Sequence, residues 1–240
     1  MTERVTPNAI DFRSVDDMDG LHPTRRRGGP GERRYGRQAE AERNDRLVLD
    51  AAREVFAEQG SAAPVSAVAA RAGVGMGTLY RRYGSKEELL QRLCVLAMEQ
   101  SIASAEEALA ADTDGWGALA LFVRRCVDAR GGALGPIAGS IPVSPEMTAT
   151  SERGRRLSEE LVAHAQRDRT VRRDVGWIDV ANLIEFASKL PRRTEDEVNA
   201  AERLLAIALD GLRDHGQPAL PGAMPTWERY SARWYDFPAT

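Results

Sequence analysis

The segment from Val65 to Tyr83 constrains this chain more than any other. Val65, Val68, Ala69 and Ala72 give an apolar stripe at helical spacing behind Pro64, whose missing N–H is tolerated at a helix start, and Gly73 ends the stripe. Gly73-Val74-Gly75 then separates this short helix from a second, MGTLYRRY, over Met76–Tyr83. Two short helices joined by a Gly-containing turn of three or four residues form a helix-turn-helix, whose second helix fits a B-DNA major groove of about 12 Å. The spacing predicts a DNA reader.

The rest of the chain reads as helix. Leu47/Ala51/Val55 and Val48/Ala52/Phe56 recur every four residues and predict a helix over 44–59, ended by Gly60. Ser85-Lys86-Glu87-Glu88 has the form of a capping box and opens a long helix whose apolar face runs through Leu89, Leu90, Leu93, Cys94, Leu96 and Ala97. Helical spacing returns at Leu119–Val127, breaks in the Gly/Pro-rich loop 131–145, and resumes at Leu157–Ala165 and Trp177–Leu190. A second box, Thr194 to Glu197, opens a last helix over 195–214, before a Pro-rich tail. With aromatics at only 6% and no sustained strand-like alternation, the expected class is all-α. The expected organisation is a disordered Arg-rich tail over 1–43, a helix-turn-helix domain over 44–92, a second helical domain over 93–214, and a C-terminal tail over 215–240.

Charge is unevenly spread. The chain carries a net -3, yet residues 25–92 hold +5 and residues 93–240 hold -5. A basic stretch inside an acidic protein fits one part meeting a polyanion while the remainder stays soluble. The arginines at 25–27, 33, 34 and 37 leave two readings open: an arm that lies along phosphates or in a minor groove, and a solvated leader.

Catalysis and cofactors are not expected. The GVGMG run lacks the G-x-x-x-x-G-K-[ST] pattern and a preceding strand, so it is not a nucleotide loop. His22, His164 and His215 are scattered, without G-x-S-x-G or H-E-x-x-H, and Glu106/Glu107 and Glu159/Glu160 point to different helix faces. Cys94 and Cys126 have no metal or redox spacing. The N-terminus lacks an apolar leader and no stretch reaches the about 18 apolar residues of a membrane span, so a cytoplasmic protein is expected.

VSAVAARAGVGMGTLYRRYGSKEELL resembles the DNA-binding segment of the tetracycline-repressor (TetR) family of bacterial transcription regulators, on its G-T-L-Y-x-x-Y-x-S-K-E core. The resemblance spans Arg46 to about Leu93. It implies a helix-turn-helix on three helices, a fourth helix leading into an all-helical ligand-binding domain, and a homodimer on a palindromic double-stranded operator. It also implies that Met76 and Gly77 face base edges, that Thr78, Tyr80 and Lys86 contact phosphates or nearby bases, that Ser66 reaches DNA, and that Leu79 and Tyr83 are core. Gly75 departs from the Ser that many members place as N-cap, which leaves that helix start weakly capped.

Elementary chemistry supports part of this independently. Lys86 lies in a first helical turn, where the macrodipole disfavours a cation by about 0.3–1 kcal/mol, a cost that a bound phosphate removes. Tyr80 offers an apolar body and a donor hydroxyl, and Arg81 suits either a guanine edge or, more commonly, a phosphate.

The segment 93–214 is similar to the effector module of that family in helix order. Pockets between helices are mostly apolar with a few polar groups. Trp116, Phe122, Cys126, Leu157, Leu161, Trp177 and Phe186 are the candidate lining for a small-molecule effector, with Arg124, Arg125 or Asn182 as polar anchors. Each also reads as ordinary core. The loop 131–145 either gates that pocket or joins two helices. The last two helices resemble the family's dimerising pair. An all-helical small-molecule-binding protein or enzyme, with purely structural N-terminal helices, is the alternative.

Overall fold

A computed structural model describes residues 30–130, 137 and 139–235, with side chains over 44–130, 137 and 139–232. Among the described residues, those up to 41 and those from 42 onwards form separate units. Nine helices follow one another among the described residues: α1 Pro30–Gln59, α2 Val65–Ala72, α3 Met76–Tyr83, α4 Lys86–Leu109, α5 Gly115–Asp128, α6 Pro145–Arg167, α7 Trp177–Ser188, α8 Glu195–Leu212 and α9 Trp227–Tyr235. The described residues contain no strand, only an isolated antiparallel bridge between Val171 and Arg213. The all-α class holds.

The first helix starts well before the expected residue 44. Residues 30–43 are rich in Glu, Arg, Gln and Ala, which lose little entropy as helix, so the amphipathic segment that follows extends backwards through them. Residues 30–43 are therefore helical rather than disordered, whereas residues 1–29, with Arg25, Arg26 and Arg27, lie outside the described residues. Val48, Ala51, Ala52, Val55 and Phe56 are buried, but Leu47 is exposed. At 3.6 residues per turn Leu47 sits about 120° from the middle of that face.

Two apolar cores share one helix. The first gathers Val48–Phe56, Val65, Val68, Leu79, Tyr83 and the start of α4 at Leu89–Val95, closed by Ile137, Ile141 and Met147. The second joins Ala105 and Ala108 of α4 to Leu119, Phe122 and Val123 of α5, Leu161 of α6, Ile184 of α7 and Leu205 and Leu209 of α8. The long helix is thus continuous from the helix-turn-helix to the second core.

Three elements differ from expectation. Helix α6 begins at Pro145, not near Leu157, because Ser144 caps it through the Met147 amide at 3.2 Å and Pro145 occupies its first position. The segment after His215 contains α9, whose Trp227 and Tyr230 pack on Trp177 at centroid distances of 5.7 and 5.5 Å. Both capping boxes are half made. Ser85 and Thr194 accept from the Glu88 and Glu197 amides at 3.1 and 3.2 Å, but Glu197 accepts from the Arg193 amide instead of returning to Thr194.

Candidate nucleic-acid interface and ligand cavity

Helix α3 has one buried and one open side. Leu79 and Tyr83 are buried, while Met76, Gly77, Thr78, Tyr80, Arg81 and Arg82 are exposed, Tyr80 at 44%. Gly75 caps the helix through its carbonyl alone, accepting from Thr78 and Leu79 at 2.9 and 3.2 Å, with no side-chain cap. A Cβ at Gly75 or Gly77 would meet nothing within 4 Å, so the backbone of this first turn lies open. The turn before it is fixed by Gly73 at φ 68, where a left-handed residue lets its amide reach the end of α2. Ser66, in the first turn of α2, is also exposed.

The other end of α3 is bolted to α1. Asp45 accepts from Arg82 Nε at 3.0 Å and Nη2 at 2.9 Å, and also from the Tyr83 hydroxyl. Burial pushes the Asp45 carboxyl up, but the hydrogen bonds from Arg82 and Tyr83 outweigh it and hold the group below the usual Asp range. Burial and the Asp45 bond push the Tyr83 phenol well above its ordinary value. Arg82 is thereby committed, whereas Arg81 forms no ion pair among the described residues. Lys86 follows at the start of α4, its ammonium 5.9 Å from the Phe56 ring centroid, beside the helix cap at Ser85.

Further along α4 a cavity of about 250 Å³ opens between α4, α5, α6, α7 and α9. Helix α4 contributes Cys94, Ala97, Met98, Gln100, Ser101 and Ser104 to its wall. Phe122 and Cys126 come from α5, Met147, Gly154, Arg155 and Ser158 from α6, Trp177, Val180, Ile184 and Glu185 from α7, and Trp227 and Tyr230 from α9. Burial pushes the Cys94 thiol up to about 12 and that of Cys126 up to about 11, so neither is a ready nucleophile near neutral pH. The strap leading into α9 is clamped by Arg172, which donates twice to Asp174, at 2.7 and 2.9 Å, and once to the Pro218 carbonyl at 2.8 Å. Asp174 also accepts from the Leu220 amide at 2.6 Å, and these bonds hold its carboxyl well below the usual range.

Comparison with known proteins bears on both sites. Residues 48–93 match the family of bacterial regulatory proteins of the tetR type, and residues 115–214 match the C-terminal domain of SbtR-like transcriptional regulators. The chain belongs to the TetR family. It has that family's two-part, all-helical build, with the helix-turn-helix first. Over 71 residues it is 35% identical to the HTH-type transcriptional regulator UidR of Escherichia coli K12, a match covering 29% of this chain and 36% of UidR. The chain thus spans about a third of the curated relatives it matches. A TetR transcription regulatory protein from Mycobacterium vanbaalenii is 29% identical, with TM-score 0.52 over 74% of this chain and 99% of that one. The TetR regulator SCO0520 of Streptomyces coelicolor is 26% identical, with TM-score 0.51 over 72% and 99%.

In this TetR-family chain Met76, Gly77, Thr78, Tyr80 and Arg81 are all exposed around α3, with half-buried Lys86 at the next helix start. Of the seven residues expected around the pocket, Phe122, Cys126 and Trp177 line it. Leu161 is fully buried in the second core, and Leu157 and Trp116 pack against that core away from the cavity, Trp116 under the Arg213 guanidinium at 5.1 Å. Phe186 is 61% exposed on the outer side of α7. None of the expected polar anchors lines the cavity. Arg124 lies 3.6 Å from Glu202, Arg125 pairs with Glu107, and Asn182 is exposed. Arg155 and Glu185 take that place, and Trp227 and Tyr230 were missed because their segment reads as tail. Of the supposed gate, residues 131–136 and 138 lie outside the described residues, and Val143 lines the cavity. Among the described residues no cluster of three or more metal-ligating side chains occurs, and no helix is long and apolar enough to cross a membrane.

Proposed function

We propose that this protein is a homodimeric repressor of transcription, acting in the cytoplasm, that binds a palindromic operator through α3 and is released by a small molecule held in the cavity. The observation that carries the reading is the open face of α3, where Met76, Gly77, Thr78, Tyr80 and Arg81 stand out over buried Leu79 and Tyr83. Met76 and Gly77 take base edges; Thr78, Tyr80, Arg81, Lys86 and Ser66 hold phosphates. Dimerisation uses the outer faces of α7 and α8, where Phe186, Leu204 and Ile207 are exposed without a polar purpose. Two-fold symmetry then sets the two copies of α3 about 34–36 Å apart, or a multiple of that.

Helix α4 supplies the link between ligand and DNA. Its first turn follows the recognition helix at once, and its middle lines the cavity from Cys94 to Ser104. At 1.5 Å per residue the nearest cavity residue lies about 12 Å from Lys86. A ligand that favours a different tilt of α4 shifts the dimer towards wrongly spaced recognition helices. A hundredfold loss of operator affinity requires about 2.8 kcal/mol of differential binding. Selection from a random duplex pool followed by footprinting tests the proposal. A salt-sensitive, near-palindromic protected site supports it, and no protection at low salt refutes it.

A further inference from the structure

The family match ends at residue 214, yet the cavity is completed by α9, whose Trp227 and Tyr230 join Trp177 in a mutually packed aromatic wall. Trp177 and Trp227 lie 5.7 Å apart at an interplanar angle of 40°, and Tyr230 meets Trp177 edge-on at 5.5 Å. The Arg155 guanidinium sits 5.9 Å from the Trp227 centroid. This wall offers ring faces and edges, which reward a flat π-system beyond the apolar area it buries. The cavity, about 250 Å³ in volume, has room for a molecule of a few fused or linked rings.

Two of the cavity's several hydroxyls are fixed as acceptors. Ser104 donates its proton to the Gln100 carbonyl at 2.9 Å, and Ser158 donates to the Gly154 carbonyl at 3.0 Å. Each hydrogen is spent on its own helix, so each oxygen faces a ligand with lone pairs only. The cavity's two charged side chains, Arg155 and Glu185, are opposite in sign, and each is already paired, with Glu159 at 2.8 Å and Lys189 at 2.8 Å. Neither a cation nor an anion is called for.

We infer that the cavity takes a neutral, planar aromatic molecule carrying a hydrogen-bond donor, a phenol or its equivalent, stacked on the wall that α9 completes. The inference rests on the reading of this cavity as the effector site and gives that effector a chemical class. Calorimetry on the full chain with three probes of one skeleton tests it: 2-naphthol, its saturated counterpart decahydro-2-naphthol, and 2-methoxynaphthalene, which keeps the rings and loses the donor. The expected result is binding of 2-naphthol at least tenfold tighter than either of the others. Trp227→Leu keeps an apolar filling and should abolish the preference for the aromatic probe without weakening the saturated one. Tyr230→Leu provides the same comparison should the first variant fail to show a cooperative melt, and the three-probe ranking on the unaltered protein stands without either.

Equal affinity for the saturated alcohol overturns the aromatic half, and equal affinity for the methoxy compound overturns the donor half. Failure of all three to bind overturns both. Displacement of duplex DNA is measured separately. If 2-naphthol binds with the expected preference and leaves DNA binding untouched, the aromatic site stands and the effector role falls.

Discussion

Replacing Asp45 by Ala tests how α3 is held in its working orientation. The substitution removes three hydrogen bonds, two to Arg82 and one to the Tyr83 hydroxyl. The Arg82 share is small, since its side chain is 51% exposed and water screens the pair, so about 0.5 kcal/mol is expected from it. The Tyr83 share is larger. A phenol in a buried residue loses a charged acceptor, which costs about 1–2 kcal/mol. The sum of about 2 kcal/mol lowers the melting temperature by about 4–8 °C in a chain of this size. Tyr83→Phe should cost less, and the double variant should cost less than the two singles added, because both act on the same bond. The pH dependence has a defined sign. The folded Asp45 pKa is depressed, so its stabilisation is present above the ordinary Asp value and is lost as pH falls through the lower folded value. The Asp45→Ala deficit should therefore be constant from pH 7 to about 5 and shrink below about 4. Thermal and urea melts measure all of this. A melting temperature within a degree of the parent, together with unchanged DNA affinity, would refute the reasoning.

Other substitutions separate the remaining roles. Lys86→Ala should weaken binding to every duplex alike and reduce the salt slope by about one, Tyr80→Phe should weaken it on all sequences, and Met76→Ala should change base preference in a selection; identical effects from all three would contradict this division. Ile207→Glu puts a charge on an apolar surface that is 65% exposed, so sedimentation should show monomers that no longer bind the palindrome, and an intact dimer would move the interface elsewhere. Arg172→Ala releases the Pro218 carbonyl and Asp174, so limited proteolysis should cut between residues 214 and 226 faster than in the parent, and an unchanged pattern would show the clamp to be idle.

The sequence made the helix-turn-helix legible because its signals are local. Pro64, Gly73 and the alternation of buried Leu79 and Tyr83 with open Thr78 and Tyr80 can each be read within a few residues. The Asp45 anchor was not legible, since it couples positions 37 and 38 residues apart and nothing local marks an acid on a polar helix as special. The cavity was read only in part for the same reason. Phe122, Cys126 and Trp177 are apolar residues on stripes that face inward, but facing inward does not distinguish Leu161, which fills the core, from a residue at a void. Arg155 and Ser158 lie on a polar stretch of α6 whose start at Ser144-Pro145-Glu146 was an available and unused signal. Helix α9 is short and mixed in character, and it becomes structured through tertiary contact of Trp227 and Tyr230 with Trp177 rather than through its own pattern.

The open face of α3 is proposed to dock on duplex DNA. Amide hydrogen exchange of the whole protein, with and without a selected duplex, tests it most directly. New protection is expected to concentrate at residues 76–82 and at the start of α4 around Lys86. Protection confined to other helices, or none at all under conditions where the duplex is bound, would contradict it.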